Sequence, residues 1–182
     1  MEDGRGTVKV WDALVRICHW SLVGGVAAAW FTQEGAGKWH EYIGYAVLGI
    51  VCLRLCWGVA GSKYARFKQF IYSPGYTLNY GTDILHGRHR RYLGHNPLGG
   101  WMIAALLTTL IGVCFTGWLY TTDTFWGVEW VEELHEALAI MLLVLVALHV
   151  GGVVFTSLFE KENLVASMFS GKKRAPGEGD IV

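Results

Sequence analysis

Four long apolar runs alternate with polar segments along this chain, at approximately residues 13–32, 42–60, 98–120 and 137–159. Each run is close to the roughly 20 residues that an α-helix needs to cross a bilayer. The pattern therefore predicts an all-α protein, an integral membrane bundle of four helices. We treat residues 1–182 as a single domain, with a long polar loop over 61–97 and a polar tail over 160–182.

Composition supports a membrane protein and excludes several other classes. Of the 182 residues, 53% are hydrophobic and 16% are charged, whereas soluble proteins average about 25% charged residues. The 15 basic and 15 acidic side chains cancel, so the basic excess of a nucleic-acid-binding protein is missing. All four cysteines lie within apolar runs, where they behave as small hydrophobic residues and do not indicate a disulfide scaffold.

The basic residues are concentrated in the 61–97 loop and in the tail. They are Lys63, Arg66, Lys68, Arg88, Arg90, Arg91, Lys161, Lys172, Lys173 and Arg174. The two short connections hold one basic residue, Lys38. The positive-inside rule therefore predicts cytoplasmic termini and two outer connections. No cleavable signal is apparent at the N-terminus, so we expect the first run to stay in the membrane.

Seven acidic residues belong to the predicted outer connections. They are Glu34, Glu41, Asp123, Glu129, Glu132, Glu133 and Glu136. Two interpretations stay open: such a surface steers a positively charged partner, or it is an ordinary solvated loop face.

Four of the seven histidines lie in or at the ends of the apolar runs. His135 and His149 are 14 residues apart, close to four helical turns, so they share one face about 21 Å apart along the axis. His40 opens the second run at the level of His135, and His19 lies in the first run at the level of His149. Polar side chains at membrane depth need partners. The spacing thus predicts two histidine pairs, one above the other.

Two facing histidines can supply both axial nitrogens of a haem iron inside a helical bundle. Zinc is the competing metal, but it requires three or four ligands at one level. A c-type haem is not expected because the sequence contains no C-x-x-C-H motif. Arg54 shares a face with His40 and Arg16 precedes His19 by one turn, so both are candidate partners of haem propionates. His95, before a helix start at Asn96-Pro97, is a candidate contact for a quinone or a propionate.

Several motifs together resemble the bacterial di-haem cytochrome b-561 family, which includes the cytochrome b subunits of nickel-iron hydrogenases. They are Arg16-Ile17-Cys18-His19-Trp20, Trp39-His40-Glu41-Tyr42-Ile43-Gly44-Tyr45, Arg54-Leu55-Cys56-Trp57-Gly58, Gly94-His95-Asn96-Pro97-Leu98-Gly99-Gly100, Leu134-His135-Glu136-Ala137 and Ala147-Leu148-His149-Val150. The likeness covers nearly the whole chain.

This resemblance implies two b-type haems ligated by His19, His40, His135 and His149, in a bundle of the bacterial inner membrane. It also implies electron transfer between the quinone pool and a periplasmic partner, such as a c-type cytochrome or a dehydrogenase subunit. Two alternatives remain from the sequence. One is oxidation of superoxide at the outer face with a quinone as acceptor, and the other is the cytochrome b subunit of a hydrogenase or dehydrogenase complex.

Overall fold

The computed structural model describes residues 6–34, 37–88 and 90–182. Its elements, in chain order, are β1 (Thr7–Lys9), α1 (Ala13–Phe31), α2 (Trp39–Ala60), α3 (Pro74–Leu85), α4 (Pro97–Tyr120), α5 (Glu129–Phe159), α6 (Leu164–Ser170) and β2 (Lys172–Arg174). Single 3₁₀ turns occupy Lys63–Ala65 and Phe67–Gln69. The protein is therefore mostly helical, as predicted.

Four of these helices, α1, α2, α4 and α5, are long and apolar enough to cross a membrane. All four predicted helices are present, and three of them, α2, α4 and α5, begin earlier than their apolar runs. The largest difference is in α5, which begins at Glu129 although its apolar run starts at residue 137. Glu129 and Glu132 lie in its first turn, where acidic side chains favour the positive end of the helix dipole.

The chain divides into two compact units. The terminal unit comprises residues 6–16, 57–103 and 148–182, apart from residue 89, and the helical unit comprises residues 17–34, 37–56 and 104–147. The terminal unit contains the first and last described residues and the long polar segment, whereas the helical unit consists of parts of the four long helices and the described parts of two short connections.

Asp12 joins the start of α1 to the end of α2 in the terminal unit. One carboxylate oxygen accepts from the backbone N–H of Val15 at 2.9 Å, which caps α1. The other accepts from Trp57 Nε1 at 3.0 Å and from the Ser62 hydroxyl. Burial alone raises the pKa of the Asp12 carboxyl, but the hydrogen bonds from Ser62, Val15 and Trp57 outweigh it, so this pKa is lowered.

The two ends of the chain form a small antiparallel sheet in the same unit, with Val8 opposite Lys173. The backbone N–H groups of Val10 and Trp11 both donate to the carbonyl of Gly171. Gly171 has a φ of +78° at the end of α6, and a Cβ there would lie 2.6 Å from the Trp11 carbonyl oxygen. Only glycine fits this position.

A buried ion network ties the tail to the segment before α4. Arg91 Nη2 lies 2.9 Å from Glu162 Oε2, and Arg91 also pairs with Asp180. Lys173 Nζ lies 3.5 Å from the same Glu162 carboxylate. The side chains of Arg91, Glu162 and Lys173 are only 7%, 8% and 3% exposed. Sequence reasoning treated all of these as polar loop and tail residues, and it missed α3, α6 and both strands.

Candidate functional site

His40 and His135 face each other within the helical unit, as the spacing predicts. His40 is the second residue of α2 and His135 is the seventh residue of α5. Their ring centres lie 6.2 Å apart and their ring planes are nearly perpendicular, at 81°. The two imidazoles thus share one level although they are 95 positions apart in sequence.

Backbone carbonyls orient both rings. Nδ1 of His40 lies 2.9 Å from the carbonyl oxygen of Ala29, and Nδ1 of His135 lies 3.0 Å from that of Val113. A carbonyl oxygen can only accept, so each Nδ1 is the donor and carries the hydrogen. In a neutral imidazole the lone pair then belongs to Nε2, which is the usual arrangement of a histidine prepared to bind a metal.

Thr116 is a further buried partner of His135 that sequence reasoning missed. Its hydroxyl lies 3.0 Å from His135 Nδ1 and donates to the carbonyl of Gly112 at 2.9 Å. Only 4% of Thr116 is exposed. A hydroxyl within the apolar run is the only sequence signal for this contact, since threonine in a helix commonly bonds a carbonyl of the preceding turn.

Glycines leave space around the two histidines. A Cβ on Gly117 would lie 3.0 Å from His135 Cε1, so the absence of a side chain lets the ring approach α4. A Cβ on Gly44, one turn after His40, would meet no atom within 4 Å. The helical unit therefore has open space next to a pair of oriented imidazoles.

The other predicted ligands, His19 and His149, are both half-buried on membrane-spanning helices. His19 lies on α1 in the helical unit, with its ring centre 5.0 Å from that of Trp20. His149 lies on α5 in the terminal unit. Their pairing stays a prediction from the spacing. Arg54, on α2 in the helical unit, is 6% exposed.

Arg16 contacts the end of α6 in the terminal unit. Its Nη1 donates to the carbonyl oxygen of Phe169 in the last turn of that helix, where a cation favours the negative end of the helix dipole. A propionate role for Arg16 stays a prediction.

His95 lies between two aromatic rings of the terminal unit. Its ring centre is 4.5 Å from that of Trp11 and 4.7 Å from that of Phe70. The predicted helix start beside it is confirmed: α4 begins at Pro97, and Asn96 Oδ1 accepts from the backbone N–H of Gly99 at 2.7 Å.

The seven acidic residues of the short connections all belong to the helical unit, which also contains His40 and His135. Six of their side chains are exposed and Glu41 is half-buried. Lys38 is exposed among them. We call the seven acidic residues the acidic end. Across residues 6–34, 37–88 and 90–182, no cluster of three or more His, Cys, Asp or Glu could hold a metal ion.

Comparison with known proteins identifies similar sequences. The family profile described as prokaryotic cytochrome b561 matches residues 10–171. A protein of Bradyrhizobium diazoefficiens named "Probable Ni/Fe-hydrogenase B-type cytochrome subunit" is 23% identical, over 94% of this chain and 87% of its own length. A protein of the same name from Rhizobium leguminosarum bv. viciae is 24% identical, over 93% and 90%. No solved structure matches this chain.

Proposed function

Because this chain belongs to the prokaryotic cytochrome b561 family, we propose that it transfers electrons across the membrane through two b-type haems. The family supports the coarser part of this function, membrane electron transfer by b-type haem in a multi-pass bacterial membrane protein. We propose further that the membrane is the inner membrane, with both termini in the cytoplasm, since the basic residues are concentrated in the tail and the 61–97 segment.

The arrangement of His40 and His135 is the observation that carries the proposal. A metal-bound imidazole nitrogen lies about 2 Å from the metal, and it lies about 1 Å from its own ring centre. Two imidazoles on opposite sides of one metal therefore have ring centres about 6 Å apart, close to the 6.2 Å found here. Because each Nδ1 donates its hydrogen to a carbonyl, the lone pair of each Nε2 can bind a metal. These residues fit one haem iron.

A bound b-type haem supplies one-electron oxidation and reduction at its iron. The protein holds it: His40 and His135 would ligate one haem, and His19 and His149 the other. The Ala29 and Val113 carbonyls fix the orientation of the first pair and make both imidazoles more basic ligands. Arg54 and Arg16 would offset the charge of propionates near the second pair. We propose His95 as a quinone or propionate contact, because it precedes the start of α4 at Pro97.

The haem content of the purified protein tests this proposal. We expect a b-type difference spectrum on reduction, with about two haems per chain, one for each bis-histidine pair. The measurement is a pyridine haemochrome assay divided by protein concentration from amino-acid analysis. One haem per chain would contradict ligation by the second histidine pair. A protein without haem would contradict the proposed electron transfer.

We propose that the redox partner docks on the acidic end. This surface has six exposed carboxylates and one exposed lysine, Lys38. Its negative field therefore attracts cationic proteins such as many c-type cytochromes. The same field repels superoxide, which is an anion, so the superoxide alternative gains no support from this surface.

The second candidate is a cytochrome b subunit of a larger complex. The names of both relatives, which align over most of their length, favour it. A hydrogenase or dehydrogenase subunit would then deliver electrons to the haems, and a quinone would receive them. In native membranes, haem reduction by hydrogen gas would support this candidate.

Neutralising the acidic end should slow electron transfer to or from a cationic c-type cytochrome. We expect Glu132→Gln with Glu133→Gln to lower the second-order rate several-fold at low salt and to weaken its dependence on ionic strength, since exposed charges act through steering. Stopped-flow haem spectra measure both. Glu178→Gln, an exposed tail residue, is the matched control and should leave the rate unchanged. Equal rates for all variants would contradict docking at the acidic end.

A further inference from the structure

Helix α3 packs beside the last turn of α5 within the terminal unit. Tyr80 and Ile84 of α3 line a shallow cleft together with Phe155 and Phe159 of α5. Because α5 is a membrane-spanning helix that ends at Phe159, its last turn marks the depth at which the chain leaves the hydrocarbon. This packing would place helix α3 at the membrane–water interface.

The exposed side of α3 is apolar on one face. Leu78 and Leu85 are 71% and 84% exposed and lie seven residues apart, about two turns, so they point in nearly the same direction. Thr77 and Tyr80 are buried against the protein. Single exposed leucines are common in soluble proteins, but two on one face at interface depth are typical of a helix that lies in the plane of a bilayer.

The charged residues of the segments that flank α3 in sequence are mostly basic, although Glu160 lines the cleft between α3 and α5. Lys63, Arg66, Lys68, Arg88 and Arg90 are all exposed. Asp83 is the only acidic residue between positions 61 and 97. It lies 4.0 Å from Arg88, whose side chain is still 71% exposed. Basic residues close to an anionic membrane surface are attracted to its headgroups.

We propose that α3 is an interfacial helix whose Leu78 and Leu85 enter the acyl-chain boundary of the bilayer that the protein spans, while the neighbouring basic residues bind anionic phospholipid headgroups. The occupant is the lipid surface because depth, apolar face and charge all match it. Asn79 and Asp83, on another face of α3, remain in water. The inference depends on the membrane-spanning helices and not on the haems, so it can fail while the proposed function holds.

Spin labels on adjacent positions of α3 test the proposal. Cysteine is introduced at Leu78 or Leu85, with Asn79→Cys as the matched control, and the full-length protein is labelled and placed in nanodiscs with 30% phosphatidylglycerol. Wild type treated identically gives the background from the native cysteines. We expect the ratio of oxygen to nickel-chelate accessibility to be several-fold higher for the labels at 78 and 85 than for the label at 79.

Two outcomes would overturn the proposal. Equal ratios at positions 78 and 79 would mean that the Leu78 face lies in water, and labels at 78 and 85 shielded from both reagents would mean that a second copy of the chain covers it.

The contribution of the basic residues is tested separately. In nanodiscs of phosphatidylcholine alone, the ratio of oxygen to nickel-chelate accessibility at position 85 should fall towards that at position 79. An unchanged ratio would contradict binding of anionic headgroups. A normal haem spectrum in each variant verifies the fold.

Discussion

Replacing His135 with alanine should remove one of the two proposed b-type haems and leave the other in place. His135 pairs with His40 at a ring-centre distance of 6.2 Å, whereas His19 and His149 are predicted to ligate at a level about 21 Å away along the axis. Without the His135 imidazole, His40 would be the single protein ligand for a haem held at this site. Haem per chain should fall from about two to about one, measured as pyridine haemochrome.

The same loss is expected for His40→Ala, because each member of the pair supplies one ligand. His86→Ala is the matched control: His86 is exposed at the end of α3, and its Nδ1 bonds the Thr82 carbonyl at 2.7 Å. This variant should keep both haems. Two haems in a folded His135→Ala protein would contradict the assignment. Loss of one haem from His40→Ala and none from His135→Ala would contradict the pairing.

The spans and the level of the histidines are predictable from sequence because both depend on local regularities. An apolar run of sufficient length specifies a membrane helix with no knowledge of its neighbours. The helical rise then places His40 near the end of α2 that is level with His135 near the start of α5. The contact of Thr116 with His135 is different. It depends on the rotation of α4 against α5, which no local pattern encodes.

The structure of the polar segments is the hardest to predict, because contacts between residues distant in sequence stabilise it. Arg91 meets Glu162 across 71 positions and Asp180 across 89, and nothing in the sequence distinguishes these acids from solvated ones. Helix α3 carries Gly75 and Gly81, which lower helix propensity. Its packing beside α5 and the capping Ser73 stabilise it instead.

The Arg91–Glu162–Lys173 network should have a large effect on the stability of the terminal unit. Glu162→Gln removes the carboxylate that pairs with Lys173, whose side chain is 3% exposed, whereas Arg91 keeps its pair with Asp180. Breaking a buried pair in this way costs about 3–5 kcal/mol. We therefore expect amide hydrogen exchange in residues 172–182 to become about 100-fold faster or more, measured by mass spectrometry, with α4 unchanged.

The matched control is Asp83→Asn, because it makes the same carboxylate-to-amide change in an exposed pair with Arg88 at 4.0 Å. Exposed pairs contribute about 0–1 kcal/mol, so exchange should change less than about tenfold. Similar acceleration in both variants would contradict the special role of the buried network.

Acid should reproduce the effect of Glu162→Gln in the wild type. Burial by itself raises the pKa of Glu162, but the Arg174 N–H and the Arg91 and Lys173 cations outweigh it, so the folded-state pKa lies below the usual 4.5. The stabilisation is therefore complete above the unfolded-state pKa and is lost as the pH falls through the lower folded-state pKa. After correction for intrinsic exchange, opening of residues 172–182 should rise over this acidic range in the wild type. In Glu162→Gln the rise should be smaller, because the titrating carboxylate is gone; an equal rise would assign the acid sensitivity to another group.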